Sequence, residues 1–336
     1  MSIKIMVIDD SAFMRRIMSH TLQEIEGVEV HSLVSCGKEA IEKLKQPFPD
    51  LITIDAQVPD LNETNELKKL IQKHAIPAVM ISSSDSKKET TLKALEMGAV
   101  DYLQRPQELN RDWGIFQERL EKKIQLFTKP KNQLNKLPNK KIRQKTSNFT
   151  LPVEAIVIGA STGGPKALVE VIKMLPPKIE IPVFIVQHMP KGFTTSFANR
   201  LDSIAALTVL EAEDGQKIQK DTVYLAPGGK HMLLDGDKIL LTEEDKIHGV
   251  RPAVDYLFET AAIKYGHHLV GVVLTGMGND GAKGSKAIKE NGGYIITQNQ
   301  ETSVIYGMPR NVEEKGYSDK VASLYDIGDI LKNMIG

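Results

Sequence analysis

The chain contains the stretch Val157-Ile158-Gly159-Ala160-Ser161-Thr162-Gly163-Gly164-Pro165, in which an apolar run passes through a glycine-rich turn into a segment with helical periodicity. This pattern predicts a buried β-strand, a sharp turn and a helix from Pro165 to about Lys173. The same rhythm returns around the apolar runs 155–158, 183–186 and 269–274. Such alternation of strands and helices is typical of a mainly parallel sheet with helices on its faces.

One pair of apolar runs departs from this rhythm. Asp235-Gly236 separates Met232-Leu233-Leu234 from Lys238-Ile239-Leu240-Leu241, and a short turn of this type between apolar runs predicts an antiparallel hairpin. The carboxy-terminal part is therefore predicted to be a Rossmann-like α/β domain with an inserted β-hairpin.

The amino-terminal part shows a similar alternation of short apolar runs and helix-like stretches. The apolar runs cover residues 5–8, 30–34, 51–54, 76–82 and 100–103, and the first helix is predicted over 11–24. Five strands with helices between them predict a doubly wound parallel sheet of the flavodoxin-like kind.

The two parts are separated by a segment of unusual charge. The whole chain has 43 basic and 43 acidic side chains, yet residues 122–153 include nine basic side chains and no acidic one. This segment is rich in Lys, Asn, Gln and Pro and lacks apolar periodicity, which predicts a basic flexible linker over 122–150 between domains 1–121 and 151–336. A nucleic-acid-binding arm is the alternative, but the flanking domains are acidic and aromatic residues do not interleave with the charges.

Composition narrows the class of protein. Hydrophobic residues make up 41% of the chain, and no apolar run approaches the roughly 18 residues that a membrane span requires. Asp9 and Asp10 interrupt the amino terminus where a signal peptide stays apolar, and Cys36 is the single cysteine. We therefore expect a cytoplasmic protein without membrane insertion and without a nucleic-acid partner.

Polar residues follow four strands of the predicted amino-terminal sheet. Asp9 and Asp10 follow the first strand, Asp55 the third, Ser82 the fourth and Arg105 the fifth. Because the carboxyl ends of parallel strands meet at one edge, these side chains are expected to converge, and clustered carboxylates suit Mg²⁺. The alternative is that Asp9 and Asp10 only cap the following helix.

Three residues of the carboxy-terminal domain also follow predicted strands. Ser161, His188 and Asp280 have the residue types of a serine hydrolase triad, in which histidine accepts the serine proton and aspartate orients the imidazole. Each residue also has a structural alternative, as a phosphate-loop hydroxyl, a turn histidine and a helix cap. Their joint placement favours the triad, although the G-x-S-x-G elbow of α/β-hydrolases is absent.

A nucleotide-binding oxidoreductase is a second alternative for the glycine-rich turn. Gly159 to Gly164 would then contact a pyrophosphate, and Glu180 is the nearest acidic candidate for a ribose contact. The remaining histidines show no spacing that matches a zinc site.

The amino-terminal domain resembles the receiver domain of two-component response regulators over residues 1–121. The resemblance implies that Asp55 is the phosphoacceptor, that Asp9, Asp10, Asp55 and the backbone carbonyl of Gln57 hold Mg²⁺, and that Ser82 and Tyr102 form a switch pair. Two features depart from the family pattern. Arg105 stands where the family usually has lysine, and residues 55–63 lack the usual methionines and glycine.

The carboxy-terminal domain resembles the CheB methylesterases of bacterial chemotaxis. The resemblance lies in the ordered motifs at 159–165, 186–190, 226–231, 251–255, 275–281 and 303–310. It implies that Ser161 is the nucleophile, His188 the general base and Asp280 its orienting partner. It also implies that the backbone N–H of Met277 is an oxyanion donor and that Thr162 lies beside the site.

The resemblance carries functional expectations. It implies hydrolysis of glutamate γ-methyl esters on methyl-accepting chemotaxis receptors with release of methanol, without a cofactor for the esterase reaction, and deamidation of receptor glutamines as a further activity. A chemotaxis histidine kinase would be the phosphodonor, and phosphorylation would weaken docking of the receiver over the esterase cleft. The alternative is a non-enzymatic receptor-binding protein that the receiver controls.

Overall fold

The computed structural model describes residues 2–44, 47–58, 65–82, 99–106, 109–128 and 151–335 of the chain. The chain divides into two compact units, Met1–Lys141 and Ile142–Gly336. Among the helices in the described ranges, none is long and apolar enough to cross a membrane.

The amino-terminal unit is built on a five-stranded sheet. Its strands are β1 (Ile3–Ile8), β2 (Val28–Val34), β3 (Leu51–Asp55), β4 (Ala78–Ser82) and β5 (Asp101–Gln104). They lie in the order β2-β1-β3-β4-β5, and every neighbouring pair is parallel. Its described helices are α1 (Ala12–Gln23), α2 (Gly37–Lys43), α3 (Asn65–Lys73) and α4 (Leu109–Thr128). This order confirms the predicted doubly wound parallel sheet.

The central strands of this sheet are buried on both faces. In β1, Met6 and Ile8 belong to one core cluster, whereas Ile5 and Val7 belong to another that also contains Leu120 of α4. Successive residues of a strand point to opposite faces, so a continuous apolar run serves two cores at once.

The last helix of this unit is longer than predicted. The predicted linker begins at Lys122, but α4 continues to Thr128. Phe116, Leu120 and Ile124 recur every four residues and are at most 3% exposed, so one apolar stripe extends past the start of the basic segment. Residues 129–150 of the predicted linker lie outside the described residues.

The carboxy-terminal unit is also α/β. Its strands are β6 (Ala155–Ala160), β7 (Val183–Gln187), β8 (Thr208–Glu211), β9 (Thr222–Leu225), β10 (His231–Asp235), β11 (Lys238–Thr242), β12 (Leu269–Val273), β13 (Tyr294–Gln298) and β14 (Lys320–Ala322). Its helices are α5 (Gly164–Ile172), α6 (Phe193–Asp202), α7 (Val254–Tyr265), α8 (Ala282–Glu290), α9 (Met308–Glu314) and α10 (Leu324–Ile335). A short 3₁₀ helix, Gly266–His268, precedes β12.

Seven of these strands form one parallel sheet in the order β14-β13-β12-β6-β7-β9-β8. The other two, β10 and β11, pair antiparallel with Asp235 opposite Lys238, which is the predicted inserted hairpin. Every residue of β12, β6 and β7 is buried. These three neighbouring strands end at the same edge of the sheet, and the candidate site lies there.

Candidate active site

Ser161 directly follows β6. Its backbone N–H donates to the carbonyl oxygen of Thr275, 3.0 Å away, and its own carbonyl accepts the N–H of Gly164 at 2.8 Å. These two bonds tie the turn to the loop after β12 and to the start of α5. The nucleophile candidate is therefore held through its backbone, which leaves its hydroxyl available for other contacts.

His188 directly follows β7, the neighbour of β6. Its Nδ1 lies 3.0 Å from Ser161 Oγ, and its Nε2 lies 2.7 Å from Asp280 Oδ2. A carboxylate accepts hydrogen bonds, so the ring proton belongs on Nε2 and the lone pair of Nδ1 faces the hydroxyl. The structure thus brings the three candidate residues together in one hydrogen-bonded series.

Asp280 is 2% exposed and accepts four N–H groups. Besides His188, the donors are the backbone N–H groups of Val254 at 2.7 Å, Asp255 at 3.0 Å and Gly281 at 2.9 Å. Burial alone would raise the pKa of Asp280, but His188 and the N–H groups of Val254 and Asp255 outweigh burial and lower it. The carboxylate therefore stays ionised at neutral pH.

The remaining two predicted site residues lie beside Ser161. Met277 follows Gly276, and a Cβ atom added at Gly276 would lie 2.8 Å from Ser161 Cβ. Thr162 is 9% exposed, and its carbonyl accepts the hydroxyl of Thr275 at 2.9 Å. This placement brings Gly276, the residue before Met277, against the nucleophile, and the role of the Met277 N–H as an oxyanion donor stays a prediction.

Two exposed apolar side chains border the turn. Met277 is 47% exposed and Val304 is 37% exposed. A Cβ atom added at Gly163 would lie 2.6 Å from Val304 Cβ, so Val304 sits directly against the turn after Ser161. The surface around the hydroxyl therefore has an apolar part.

Sequence patterns did not reveal the group behind Asp280. Asp255 is 2% exposed, accepts the N–H of Gly284 at 2.8 Å and lies 3.5 Å from His248 Nε2. Ligand atoms of His248, Asp255 and Asp280 all lie within 4.8 Å of one another. Asp280 already accepts four N–H groups, so a cation here would displace bonds that orient it, and we assign the group to orientation.

Another histidine supports the same region. His231 is buried in β10, where Nδ1 accepts the N–H of Ala253 at 3.1 Å and Nε2 contacts the carbonyl of Asp245 at 3.1 Å. Burial lowers the pKa of His231. The neutral ring fixes the backbone just before α7, whose first N–H groups reach Asp280.

The position of Glu180 speaks against the nucleotide-binding alternative. Glu180 precedes β7 and forms a surface ion pair with Lys178, with 60% of its side chain exposed. Since β6 and β7 are parallel, Glu180 lies at the opposite end of the sheet from the glycine-rich turn after Ala160. It therefore cannot contact the ribose of a dinucleotide bound at that turn.

The amino-terminal unit has its own cluster of charged residues. Arg105 contacts Asp9 Oδ2 at 2.7 Å and also hydrogen-bonds Asp55 Oδ2. Burial raises the pKa of Asp55 to about 6, while the charge of Arg105 opposes that rise. Burial likewise raises the pKa of Asp9. Asp10 differs from both because it is exposed.

The other receiver candidates lie around this cluster. The N–H of Gln57 donates to Asp55 Oδ1 at 2.7 Å. Ser82, at the end of β4, is 1% exposed, and its hydroxyl has no hydrogen-bond partner among the described residues. Tyr102 lies on the neighbouring strand β5, and burial raises its pKa.

The capping alternative for the aspartates is wrong. Ser11 caps α1, because its hydroxyl accepts the N–H of Met14 at 3.4 Å. Asp9 Oδ1 accepts the N–H of Ser11 at 2.9 Å, before the helix begins.

Two buried carboxylate oxygens, from Asp9 and Asp55, converge on one cationic nitrogen. Such hard oxygen donors fit Mg²⁺, although the guanidinium of Arg105 lies between them.

Comparisons with known proteins match a different family to each of the two units. The CheB methylesterase family matches residues 156–331, and the response regulator receiver domain family matches residues 5–111. A protein-glutamate methylesterase/protein-glutamine glutaminase of Clostridium acetobutylicum is 42% identical over 332 residues, which cover 97% of this chain and 96% of that protein. The protein of the same name in Geobacillus kaustophilus is 39% identical over 351 residues, covering 100% and 99%.

A solved structure matches the carboxy-terminal unit. The crystal structure of the Thermotoga maritima CheB methylesterase catalytic domain is 45% identical and superposes with a TM-score of 0.53. The match covers 55% of this chain and 100% of that chain.

Proposed function

The chain belongs to the CheB methylesterase family, and from this membership we propose that it is a protein-glutamate methylesterase regulated by phosphorylation. The proposed substrates are glutamate γ-methyl esters on methyl-accepting chemotaxis receptors, which the enzyme converts to carboxylates and methanol. The observation that carries the proposal is the series from Ser161 Oγ to His188 at 3.0 Å and from His188 to Asp280 at 2.7 Å. The apolar surface of Met277 and Val304 suits an uncharged methyl ester.

Acylation begins when Ser161 Oγ attacks the ester carbonyl. His188 Nδ1 takes the serine proton, and the ionised Asp280 stabilises the resulting imidazolium through Nε2–H. Negative charge develops on the carbonyl oxygen, where the backbone N–H of Met277 is the proposed donor, with Thr162 beside it.

Acylation ends when His188 gives its proton to the leaving methoxide and methanol departs. In deacylation, water attacks the acyl-serine with His188 as base, and His188 then returns the proton to Ser161 Oγ as the glutamate carboxylate is released. A glutamine side chain reacts in the same way, with ammonia as the leaving group. The relatives' name includes protein-glutamine glutaminase, so we propose deamidation as the second activity.

Methanol release from methylated receptors tests the proposed reaction. Ser161→Ala removes the attacking oxygen, and we expect turnover to fall by roughly 10⁴- to 10⁶-fold, as in other triads. A fluorophosphonate probe should label the unaltered chain at Ser161 and leave the variant unlabelled. Near-normal methanol release by Ser161→Ala would refute the assignment.

We propose that the receiver unit accepts a phosphoryl group on Asp55 from a chemotaxis histidine kinase. Asp9, Asp10, Asp55 and the carbonyl of Gln57 would hold Mg²⁺, which when bound supplies positive charge for the phosphoryl oxygens. Arg105, already in contact with Asp55, is placed to bind the added phosphate. Ser82 and Tyr102 are the proposed switch pair that responds to it.

The proposed switch acts on access to the esterase cleft. Phosphorylation would favour an arrangement in which the receiver no longer covers the cleft, and the shift requires a few kcal/mol of preference. Methanol release with and without a small-molecule phosphodonor tests this, with Asp55→Asn as the control. Equal rates in the unaltered chain under both conditions would remove the switch.

The proposed location is the cytoplasm. Cys36 is a free cysteine, as expected for a reducing compartment, and the proposed kinase and receptors are protein partners that require neither membrane insertion nor nucleic acid.

A further inference from the structure

Gln187 connects the backbones of the proposed nucleophile and the proposed base. It is the last residue of β7 and is 1% exposed. Its Nε2 donates to the backbone carbonyl of Ser161 at 2.9 Å and to that of His188 at 3.2 Å. One side-chain amide therefore links the two residues whose side chains must exchange a proton.

This link lies where the backbone ladder of the sheet stops. The pairing of β6 with β7 ends at Ala160 and Gln187, and the N–H of His188 still donates to Ala160 O at 3.1 Å. Beyond that point the two strands continue into separate loops. The amide of Gln187 continues the cross-strand connection by one further step, at the place where the catalytic side chains begin.

This orientation of the Gln187 amide leaves one buried polar atom without a hydrogen bond. With Nε2 committed to two carbonyls, Gln187 Oε1 is buried and has no hydrogen-bond partner among the described residues. Native proteins leave few buried polar atoms unpaired, and those that persist often serve a function.

Gly164 provides the space for that oxygen. A Cβ atom added at Gly164 would lie 2.0 Å from Gln187 Oε1, far inside van der Waals contact. The absence of a side chain at position 164 is thus a condition for the orientation of Gln187, and the two residues form one unit.

We propose that Gln187 is a positioning residue that fixes the separation between Ser161 Oγ and His188 Nδ1. The inference rests on the proposed function for its reaction but names a residue outside the triad. A displacement of about 1 Å in such a contact is enough to reduce turnover by about 10²-fold.

The matched variants are Gln187→Met and Thr297→Val. Methionine keeps a similar length and volume but donates no hydrogen bond. Thr297 is also fully buried and loses two hydrogen bonds on substitution, to Glu313 at 3.0 Å and Ser318 at 2.8 Å, neither of which belongs to the triad. Both variants are made in the full chain, and thermal unfolding is recorded for each.

We expect Gln187→Met to lower kcat about 10- to 100-fold with little change in KM, and to slow fluorophosphonate labelling of Ser161 by a similar factor. Thr297→Val should lose a comparable amount of thermal stability and keep both rates. Equal labelling rates in the two variants would overturn the proposal.

A double-variant cycle gives a second test. Gly164→Ala should slow labelling in the unaltered background because its methyl group collides with Gln187 Oε1. In a Gln187→Ala background that collision is absent and only the 2.9 Å approach to Ala160 Cβ remains, so Gly164→Ala should cost clearly less there than in the unaltered background. Fully additive losses would contradict a shared unit.

The probe also separates this proposal from the proposed function. Labelling reports the reactivity of Ser161 without the receptor, so a chain that labels readily but releases no methanol would refute the substrate alone. The comparison of Gln187→Met with Thr297→Val would still decide the positioning role.

Discussion

At the scale of single residues, Asp280 shows how the fold keeps a buried carboxylate ionised. Burial disfavours its charge, yet three backbone N–H groups and the ring of His188 surround its two oxygens. Two of these N–H groups, from Val254 and Asp255, begin α7, where the helix dipole also favours an anion. The imidazole therefore meets a charged acceptor already in place before substrate binds.

Asp280→Asn removes this charge, and its amide nitrogen cannot accept the backbone N–H groups that one of the two carboxylate oxygens accepts. An amide oxygen orients His188 less firmly and stabilises the imidazolium less, so we expect kcat to fall by about 10⁴-fold. Because the pKa of Asp280 is lowered, the loss should be nearly constant between about pH 6 and 9, which kcat measured across that range would show.

The lowered pKa of Asp280 also predicts how the stability of the protein depends on pH. A lowered folded pKa means that the ionised form stabilises the native state above the unfolded value of 3.8 and that this contribution disappears as pH falls through the folded value. Acid unfolding of Asp280→Asn should therefore be less steep below about pH 4 than that of the unaltered chain. An unchanged acid profile would show that the carboxylate is not stabilised in this way.

Arg105 allows a comparable test in the receiver. Arg105→Met leaves the buried carboxylates of Asp9 and Asp55 without their shared cation, which should lower the free energy of unfolding of this unit by about 3 kcal/mol at pH 8. Trp113 is the single tryptophan of the chain and packs against Phe116, so its fluorescence reports on this unit.

The free energy of unfolding lost in Arg105→Met should be smaller at pH 5 than at pH 8. The raised folded pKa of Asp55, about 6, means that its protonated form is favoured in the native state and that this advantage is lost as pH rises through 6. Below pH 6 the carboxyl is mostly neutral and needs the guanidinium less. A loss of equal size at pH 5 and pH 8 would contradict the pKa of Asp55.

At the scale of elements, the apolar periodicity of the receiver predicted its strands correctly. The pattern of basic residues, in contrast, set the start of the predicted linker inside a helix. The five apolar runs of the receiver all became strands, because a parallel sheet buries both faces of each strand. The linker prediction rested on basic residues from Lys122 onward, yet Ile124 continues the buried stripe of α4. Charged residues on the outer face of a helix do not end it.

Ile124→Ala tests the extent of that helix. Ile124 is fully buried, so its truncation should lower the free energy of unfolding of the receiver by about 2 to 5 kcal/mol, followed by Trp113 fluorescence. Lys122→Ala is the control, since Lys122 is exposed and pairs with the exposed Glu118, and its effect should stay within about 0.5 kcal/mol. Equal effects of the two substitutions would place both residues in a solvated linker.

At the scale of the whole molecule, every contact described for the triad lies within the carboxy-terminal unit. We expect a fragment of residues 151–336 to release methanol at least as fast as the phosphorylated full chain, because the proposed cover is absent. Its rate should not respond to the phosphodonor. A fragment that folds, by circular dichroism, but stays inactive would show that the receiver contributes to the reaction itself.

The site was predictable to the extent that its residues follow strands. Ser161, His188 and Asp280 stand after β6, β7 and β12, and the carboxyl edge of a parallel sheet gathers such residues. Asp255 and Gln187 were not predicted, because Asp255 acts through contacts with residues 25 and 29 positions away and Gln187 ends a buried strand. Their roles depend on how α7 and the turn after β6 pack, which no local pattern encodes.

The three proposed catalytic residues follow β12, β6 and β7, with two further strands on either side of this trio. Insertions, deletions or other changes of length in the outer strands β14 and β8 would leave the distances among the reacting atoms unchanged. The flanks of this sheet are thus the places where an evolving or engineered enzyme of this kind can acquire new recognition surfaces while the chemistry stays constant.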